Sequence, residues 1–244
     1  VETVLVAAEA LAAVGVSRLS VDLNSPTLVP ALCVALGIED ASGGALRVAL
    51  DRKDAAATRQ AAGRHGDLFA GLLAAAGPGK RAIAALEALD LPAGVREEAD
   101  HLAEVCRRVA EAAPALKLTL DPVEHRGFEY HTGVGFTIFA PGVRGELGSG
   151  GRYLTSDSNG ATPEPATGAT LYLETILRAV PAPARAERVF VLAGAPADDA
   201  SALRAAGWIT IADLREAGHK GDPRAEAARL GCTHILDKGK AAKL

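Results

Sequence analysis

The spacing of apolar positions divides the chain into a helix-rich stretch, a strand-rich stretch and a short segment where strands and helices alternate. Residues 1–14 carry apolar side chains in helical rhythm, and Gly15 stands where a left-handed residue closes a helix. Residues 16–23 read as a strand, with Leu19, Val21 and Leu23 alternating. Ser25-Pro26 predicts the next helix start, since proline lacks only an N–H that a first turn leaves unused. That helix runs to Leu36 and stops at Gly37, and more helix is expected over 45–61, 67–76 and 79–89. Residues 96–113 predict an amphipathic helix: Ala99, Leu102, Cys106 and Val109 form one stripe. Glu97, Glu98, Glu104, Arg107 and Arg108 are expected to face water. Its acids come first and its arginines last, which suits the helix dipole.

Strands follow. Residues 116–120 form one, stopped by Asp121-Pro122. In the next, Phe128, Tyr130, Val134, Phe136 and Ile138 fall on one face by period two, while Glu129, His131 and Thr137 point the other way. Pro141-Gly142 supplies a turn, and a return strand near Glu146 and Leu147 completes an antiparallel hairpin. Residues 155–167 read as a polar loop and 168–180 as a buried helix. Residues 181–187 are a Pro/Ala linker. Beyond it, strands at 188–192, 208–211 and 233–236 alternate with helices at 198–205 and 223–230, predicting a small parallel sheet. The basic tail from Lys238 reads as solvated.

Composition narrows the classes. The 244 residues are 49% hydrophobic and 23% charged, enough for a sizeable core plus one small second domain. Mean hydropathy is +0.15, yet no apolar run approaches the roughly 20 residues of a membrane span. A net charge of -4 lacks the broad basic field of non-specific nucleic-acid binding, so neither membrane nor nucleic acid is the expected partner. The three cysteines, Cys33, Cys106 and Cys232, form no CxxC and suggest a reduced, cytoplasmic compartment. The chain has no Met and opens in mid-rhythm without a capping residue, which reads as missing upstream sequence; initiator processing is the alternative.

Most candidate motifs fail on spacing. Gly77-Pro-Gly-Lys80 is followed by Arg81 and lacks the phosphate-loop pattern, so a helix-to-helix turn is expected. Gly148-Ser-Gly-Gly151 follows no dinucleotide-binding pattern; its glycines would let backbone approach a ligand closely or form a bulge. The six histidines show no HxxxH or HxH pairing, so no metal site and no cofactor are implied. Nor does a GxSxG or Cys-His nucleophile pattern occur. What remains is 126–136, RGFEYHTGVGF. Arg126 at a largely buried strand calls for an anion, and its planar fork suits a carboxylate or phosphate. Tyr130 and His131 can orient a polar ring or an ammonium group. The competing reading is an edge arginine paired with Glu124 or Glu129 beside ordinary core aromatics.

RGFEYHTGVGF followed by GSGGRY at 148–153 resembles the histidyl-tRNA synthetase signature, and its wording is similar to the ATP phosphoribosyltransferase regulatory-subunit family, a synthetase-like paralogue. The resemblance implies an α+β fold: a class II aminoacyl-tRNA synthetase-like antiparallel sheet with helices over 1–180, a linker at 181–187, and a small α/β domain at 188–244 like a shortened anticodon-binding domain. It implies a histidine site with Arg126 near the ligand carboxylate. Tyr130 and His131 would lie by the imidazole, and Tyr153 would close the pocket beside Gly150 and Gly151. In class II synthetases a Glu-Arg pair ends a Gly-rich strand-to-helix segment, and its Arg contacts ATP; here Glu174 is followed by Thr175. Thr cannot supply a fixed cation to a triphosphate. The resemblance therefore implies a non-catalytic regulatory subunit that assembles, as a homodimer within a hetero-oligomer, with a short-form ATP phosphoribosyltransferase catalytic subunit. L-histidine would be its allosteric ligand. Histidyl-tRNA synthetase is the alternative. Strand alternation puts Tyr130 and His131 on opposite faces, so joint contact with one ligand needs a bend or bulge near Gly133 and Gly135.

Overall fold

The structure is a computed structural model that describes residues 1–38, 44–124, 130–155, 162–182, 186–216 and 221–244. It divides into two compact units, Val1–Pro181 and Ala182–Leu244. In the first, α1 (Glu2–Ala13) leads into β1 (Ser20–Asn24), α2 (Leu28–Ala35), α3 (Ala45–Asp51), α4 (Ala55–Ala62) and α5 (Gly66–Ala75). Then come β2 (Gly77–Pro78), α6 (Gly79–Glu87), α7 (Ala93–Ala112), β3 (Lys117–Asp121), β4 (His131–Phe139), β5 (Gly148–Leu154), β6 (Pro165–Leu171) and α8 (Leu173–Ala179). The second unit holds β7 (Arg188–Val191), α9 (Ala197–Ala205), β8 (Ile209–Ala212), α10 (Pro223–Arg229), β9 (His234–Asp237) and β10 (Lys240–Lys243).

The six strands of the first unit lie in the order β2-β3-β1-β4-β5-β6. Every neighbouring pair is antiparallel except β1 with β3. Helices α1 and α7 pack against this sheet, and the core gathers Leu11, Val21, Leu23, Leu102, Leu120, Phe136 and Ile138. Since side chains alternate across a strand, the pairing registers sort residues to faces. Val21 lies opposite Leu118 and Ile138, and Leu23 opposite Leu120 and Phe136, on the apolar face. Asp22, Thr119, Thr137, Ser149 and Thr170 share the other. Polar residues at alternate positions of an otherwise apolar strand thus line one side of the sheet.

Several expectations change. The helix expected over 45–61 is two helices, broken where Lys53 takes a positive φ of 55° and Asp54 caps α4 by accepting from the amides of Ala56 and Ala57. Pro26 precedes α2 instead of opening it. Gly77-Pro78 joins helices as expected but also pairs with β3 as the edge strand. Residues 165–171, read partly as loop and partly as buried helix, form β6, and only seven residues of helix follow it. Gly168, Ala169 and Thr170 have no apolar period to mark a strand; their pairing with β5 creates it. Glu98 does not face open water. It accepts the Ser25 hydroxyl at 2.5 Å and the Thr27 hydroxyl as well, holding the turn between β1 and α2.

In the second unit β7, β8 and β9 are parallel, in the order β10-β9-β7-β8. Val189 and Val191 pack with Ala200 and Leu236, while Phe190 packs with Ala227, Cys232 and Ile235, so β7 buries both faces as a central parallel strand must. The basic tail is not simply solvated. Lys238 and Gly239 both take positive φ, 48° and 76°, and turn the chain into β10, antiparallel to β9. Two central residues with positive φ define the type I′ hairpin, whose twist matches its strands.

Candidate functional site

Arg126, Phe128 and Glu129 lie outside the described residues. Glu124, one proposed partner of Arg126, stands 4.0 Å from Lys53 Nζ, and Lys53 also reaches Asp121 at 2.6 Å. The rest of the expected site gathers around the start of β4. Tyr130 is 61% exposed and His131 only 3%. Their rings still meet, centroids 4.1 Å apart, and Tyr153 stands edge-on to Tyr130 at 6.1 Å. The reason is a register shift: His131 pairs with Tyr153 and Gly135 with Gly151, so β4 takes four steps where β5 takes two. Such a bulge bends the strand and re-aims its side chains.

Two glycines named for the site point opposite ways. A Cβ on Gly151 would lie 2.5 Å from Cδ2 and 2.6 Å from Nε2 of His131, and 2.9 Å from Gly135 Cα. The imidazole therefore rests on the Gly151 backbone, on the polar face. A Cβ on Gly150 would instead strike the Gly168 carbonyl and Phe136 Cζ, so Gly150 serves packing on the apolar face. The structure thus brings Tyr130, His131, Gly151 and Tyr153 together and sets Gly150 behind them.

Asn24 was not anticipated. It faces Gly135 in the β1–β4 register, is 3% exposed, and its Oδ1 has no hydrogen-bond partner among the described residues. A Cβ on Gly135 would collide with that oxygen. The one available signal was the alternation of Asp22 and Asn24 with Val21 and Leu23. Nearby, Asp22 accepts the Thr119 hydroxyl at 2.7 Å, and burial raises its carboxyl above the ordinary value of 3.8 despite that bond and Lys53. Ser149 and Tyr172 hydroxyls meet at 2.7 Å. Among the described residues no cluster of three or more His, Cys, Asp or Glu could hold a metal ion.

Thr175 sits in the short α8, 8% exposed. Arg178 Nη2 donates to its hydroxyl at 3.2 Å, and Nη1 of the same guanidinium reaches Glu174 at 2.6 Å. The cation bonded to Thr175 is thus one turn away and already engaged with a carboxylate.

A largely antiparallel sheet backed by helices, with a Gly-lined polar face, defines a class II synthetase-like core. The chain belongs to the histidyl-tRNA synthetase family, whose model matches residues 1–176. It is 47% identical, over its whole length, to the ATP phosphoribosyltransferase regulatory subunit of Rhodospirillum centenum, and it covers 61% of that protein. It is 48% identical to the protein of that name in Paramagnetospirillum magneticum, over 96% of this chain and 60% of that one. The chain thus spans about three fifths of the length of these curated relatives. Among solved structures, an ATP phosphoribosyltransferase regulatory subunit/histidyl-tRNA synthetase from Bacillus halodurans superposes with a TM-score of 0.69 at 21% identity, covering 93% of this chain and 61% of that one. These similarities bear out the resemblance drawn from RGFEYHTGVGF and GSGGRY, and with it the fold class.

Proposed function

We propose that this protein is a non-catalytic regulatory subunit of ATP phosphoribosyltransferase in histidine biosynthesis. It assembles, as a homodimer within a hetero-oligomer in the cytoplasm, with a short-form catalytic subunit whose activity requires it, and it senses L-histidine. The name carried by relatives 47–48% identical supports the role. One structural observation carries the non-catalytic part: Thr175 is buried and bonded to Arg178, where the family resemblance expects an arginine for ATP. Charge stabilisation of a transferring phosphate needs a positioned cation, and Arg178 is held by Glu174. Among the described residues no helix is long and apolar enough to cross a membrane.

In this reading the polar face around Tyr130, His131, Tyr153 and Gly151 takes the histidine, with Arg126 at its carboxylate. Arg126 and the two tyrosines supply affinity, and none of the residues around the site performs chemistry. A coupling of about 1–3 kcal/mol between histidine and the active assembly gives useful feedback. The small unit at 188–244 corresponds, in the same reading, to a shortened anticodon-binding domain without an RNA role. The test mixes the protein with a short-form catalytic subunit and follows phosphoribosyl transfer with and without L-histidine, while ATP–pyrophosphate exchange is measured in parallel. Stimulated transfer, inhibited by histidine, with exchange at background is the expected result. Histidine-dependent exchange would instead establish a synthetase.

A further inference from the structure

The polar face carries a feature that no single strand reveals. Asn24 lies opposite Gly135, Gly135 opposite Gly151, and Gly151 opposite Gly168. Three glycines thus stand side by side on three neighbouring strands, in one row across the sheet. With strands about 4.8 Å apart, the row leaves roughly 10 Å of backbone bare of side chains. This is a trough with a flat floor and built ends. At one end is the Asn24 carboxamide, whose buried Oδ1 no described residue satisfies. At the other, the Tyr153 ring leans over Gly168, its hydroxyl 3.5 Å from where a Cβ would stand. Tyr130, largely exposed, stacks at the mouth. A planar ring already lies on the central glycine: the imidazole of His131.

We infer that this trough is a seat for a flat heteroaromatic ring bearing an N–H, that His131 is its built-in occupant, and that Asn24 is the acceptor a ligand ring engages once His131 swings aside. The inference rests on the histidine-sensing reading for the identity of the natural ligand, but not for the seat itself. The chemistry is complementary. The floor permits face-on contact because it has no side chains. A buried carbonyl-type oxygen without a donor is costly, and a ring N–H relieves that cost. Tyr130 provides an aromatic wall, and because it reaches solvent the seat lies beside a way out. His131 is then an internal competitor: a free ligand binds only the fraction of molecules in which the seat is empty, and apparent affinity falls by that fraction.

The test is calorimetry on the full chain with two probes, imidazole and L-histidine. His131→Gly, which empties the seat, is expected to bind imidazole at least about tenfold more tightly than wild type, the factor by which an internal occupant present in nine molecules of ten weakens binding. Adding Asn24→Ala to that variant should remove most of the gain. His131→Ala, which perturbs the backbone less, is expected to tighten L-histidine binding by a similar factor. If His131→Gly keeps the wild-type circular dichroism spectrum yet takes up imidazole no better than wild type, the seat does not exist. If His131→Ala weakens L-histidine binding, His131 is a ligand contact and the competition idea is overturned. Should neither variant fold, the His131 side-chain nitrogen resonances of the wild type decide: they must shift when L-histidine saturates the protein, and unchanged resonances overturn the proposal. Imidazole uptake by His131→Gly, with L-histidine bound by no form of the protein, would uphold the seat and reject the histidine sensor.

Discussion

Replacing Gly151 by alanine probes the floor of the site directly. The new methyl carbon would stand 2.5–2.6 Å from two atoms of the His131 ring and 2.9 Å from Gly135 Cα. The ring can rotate away, but Gly135 is main chain in a paired strand and cannot. Overpacking of this kind costs about 1–3 kcal/mol. For a unit of this size each kcal/mol lowers the melting temperature by about 2–4 °C, so a loss of about 2–12 °C is expected. Far-UV circular dichroism is the suitable probe, because the only tryptophan, Trp208, belongs to the other unit. A double-mutant cycle with His131→Ala separates the two contacts: removing the ring should return about 0.5 kcal/mol or more of the cost, leaving the part due to Gly135. Gly94→Ala serves as the control, since a Cβ there meets nothing within 4 Å. If Gly151→Ala melts within 1 °C of wild type, or costs the same with and without His131, the ring does not lie on this glycine.

Three other substitutions address the rest of the molecule. Glu98→Ala strips the acceptor from the Ser25 and Thr27 hydroxyls, of which Ser25 is 1% exposed; a loss of about 1–3 kcal/mol in urea unfolding is expected, with Glu98→Gln much milder. Asp22 keeps its proton to higher pH when folded than the ordinary 3.8 allows, because burial disfavours its charge. Between 3.8 and the raised folded value the native state binds more protons, so stability falls as pH rises. Asp22→Asn should therefore gain on wild type as pH climbs from 3.5 to 7, and an equal difference at both pH values would contradict this. Lys238→Asn keeps the type I′ turn with a residue that tolerates its φ of 48°, and should stabilise the unit by about 0.5 kcal/mol, read as a raised unfolding midpoint of Trp208 fluorescence. An unchanged midpoint would mean the hairpin contributes nothing to the unit.

The candidate site was only partly readable along the chain. RGFEYHTGVGF and GSGGRY identified the two strands that carry it, because glycines beside aromatic residues are uncommon enough to mark close backbone approach. The side-chain directions were not readable. Period two set Tyr130 and His131 on opposite faces without saying which is buried; Tyr130 lies before β4 and is exposed, while His131 is buried. The bulge that joint contact required near Gly133 and Gly135 is present between His131 and Gly135, but which ring it buries depends on the pairing with β5. Gly150 and Gly151 are adjacent and chemically identical, yet one packs on Phe136 and the other carries His131. Only the register of β5 between β4 and β6 separates them.

The sequence alone determined what local physical chemistry controls. The apolar stripe of α7 set its inner face, and Ala99, Leu102, Cys106 and Val109 are all buried. Gly15 and Gly37 closed their helices with positive φ, 94° and 68°, as their lack of a Cβ allows. The alternation after residue 187 produced β7, α9, β8, α10 and β9 in that order. The tertiary structure decided what depends on partners distant along the chain. Glu98 turned inward because Ser25 and Thr27 needed an acceptor. Residues 165–171 became a strand because β5 offered them an edge. Asn24 met Gly135, Gly151 and Gly168 in one row because three separate strand registers coincide. A register is a property of two strands at once, and a one-residue slip would send each side chain to the opposite face.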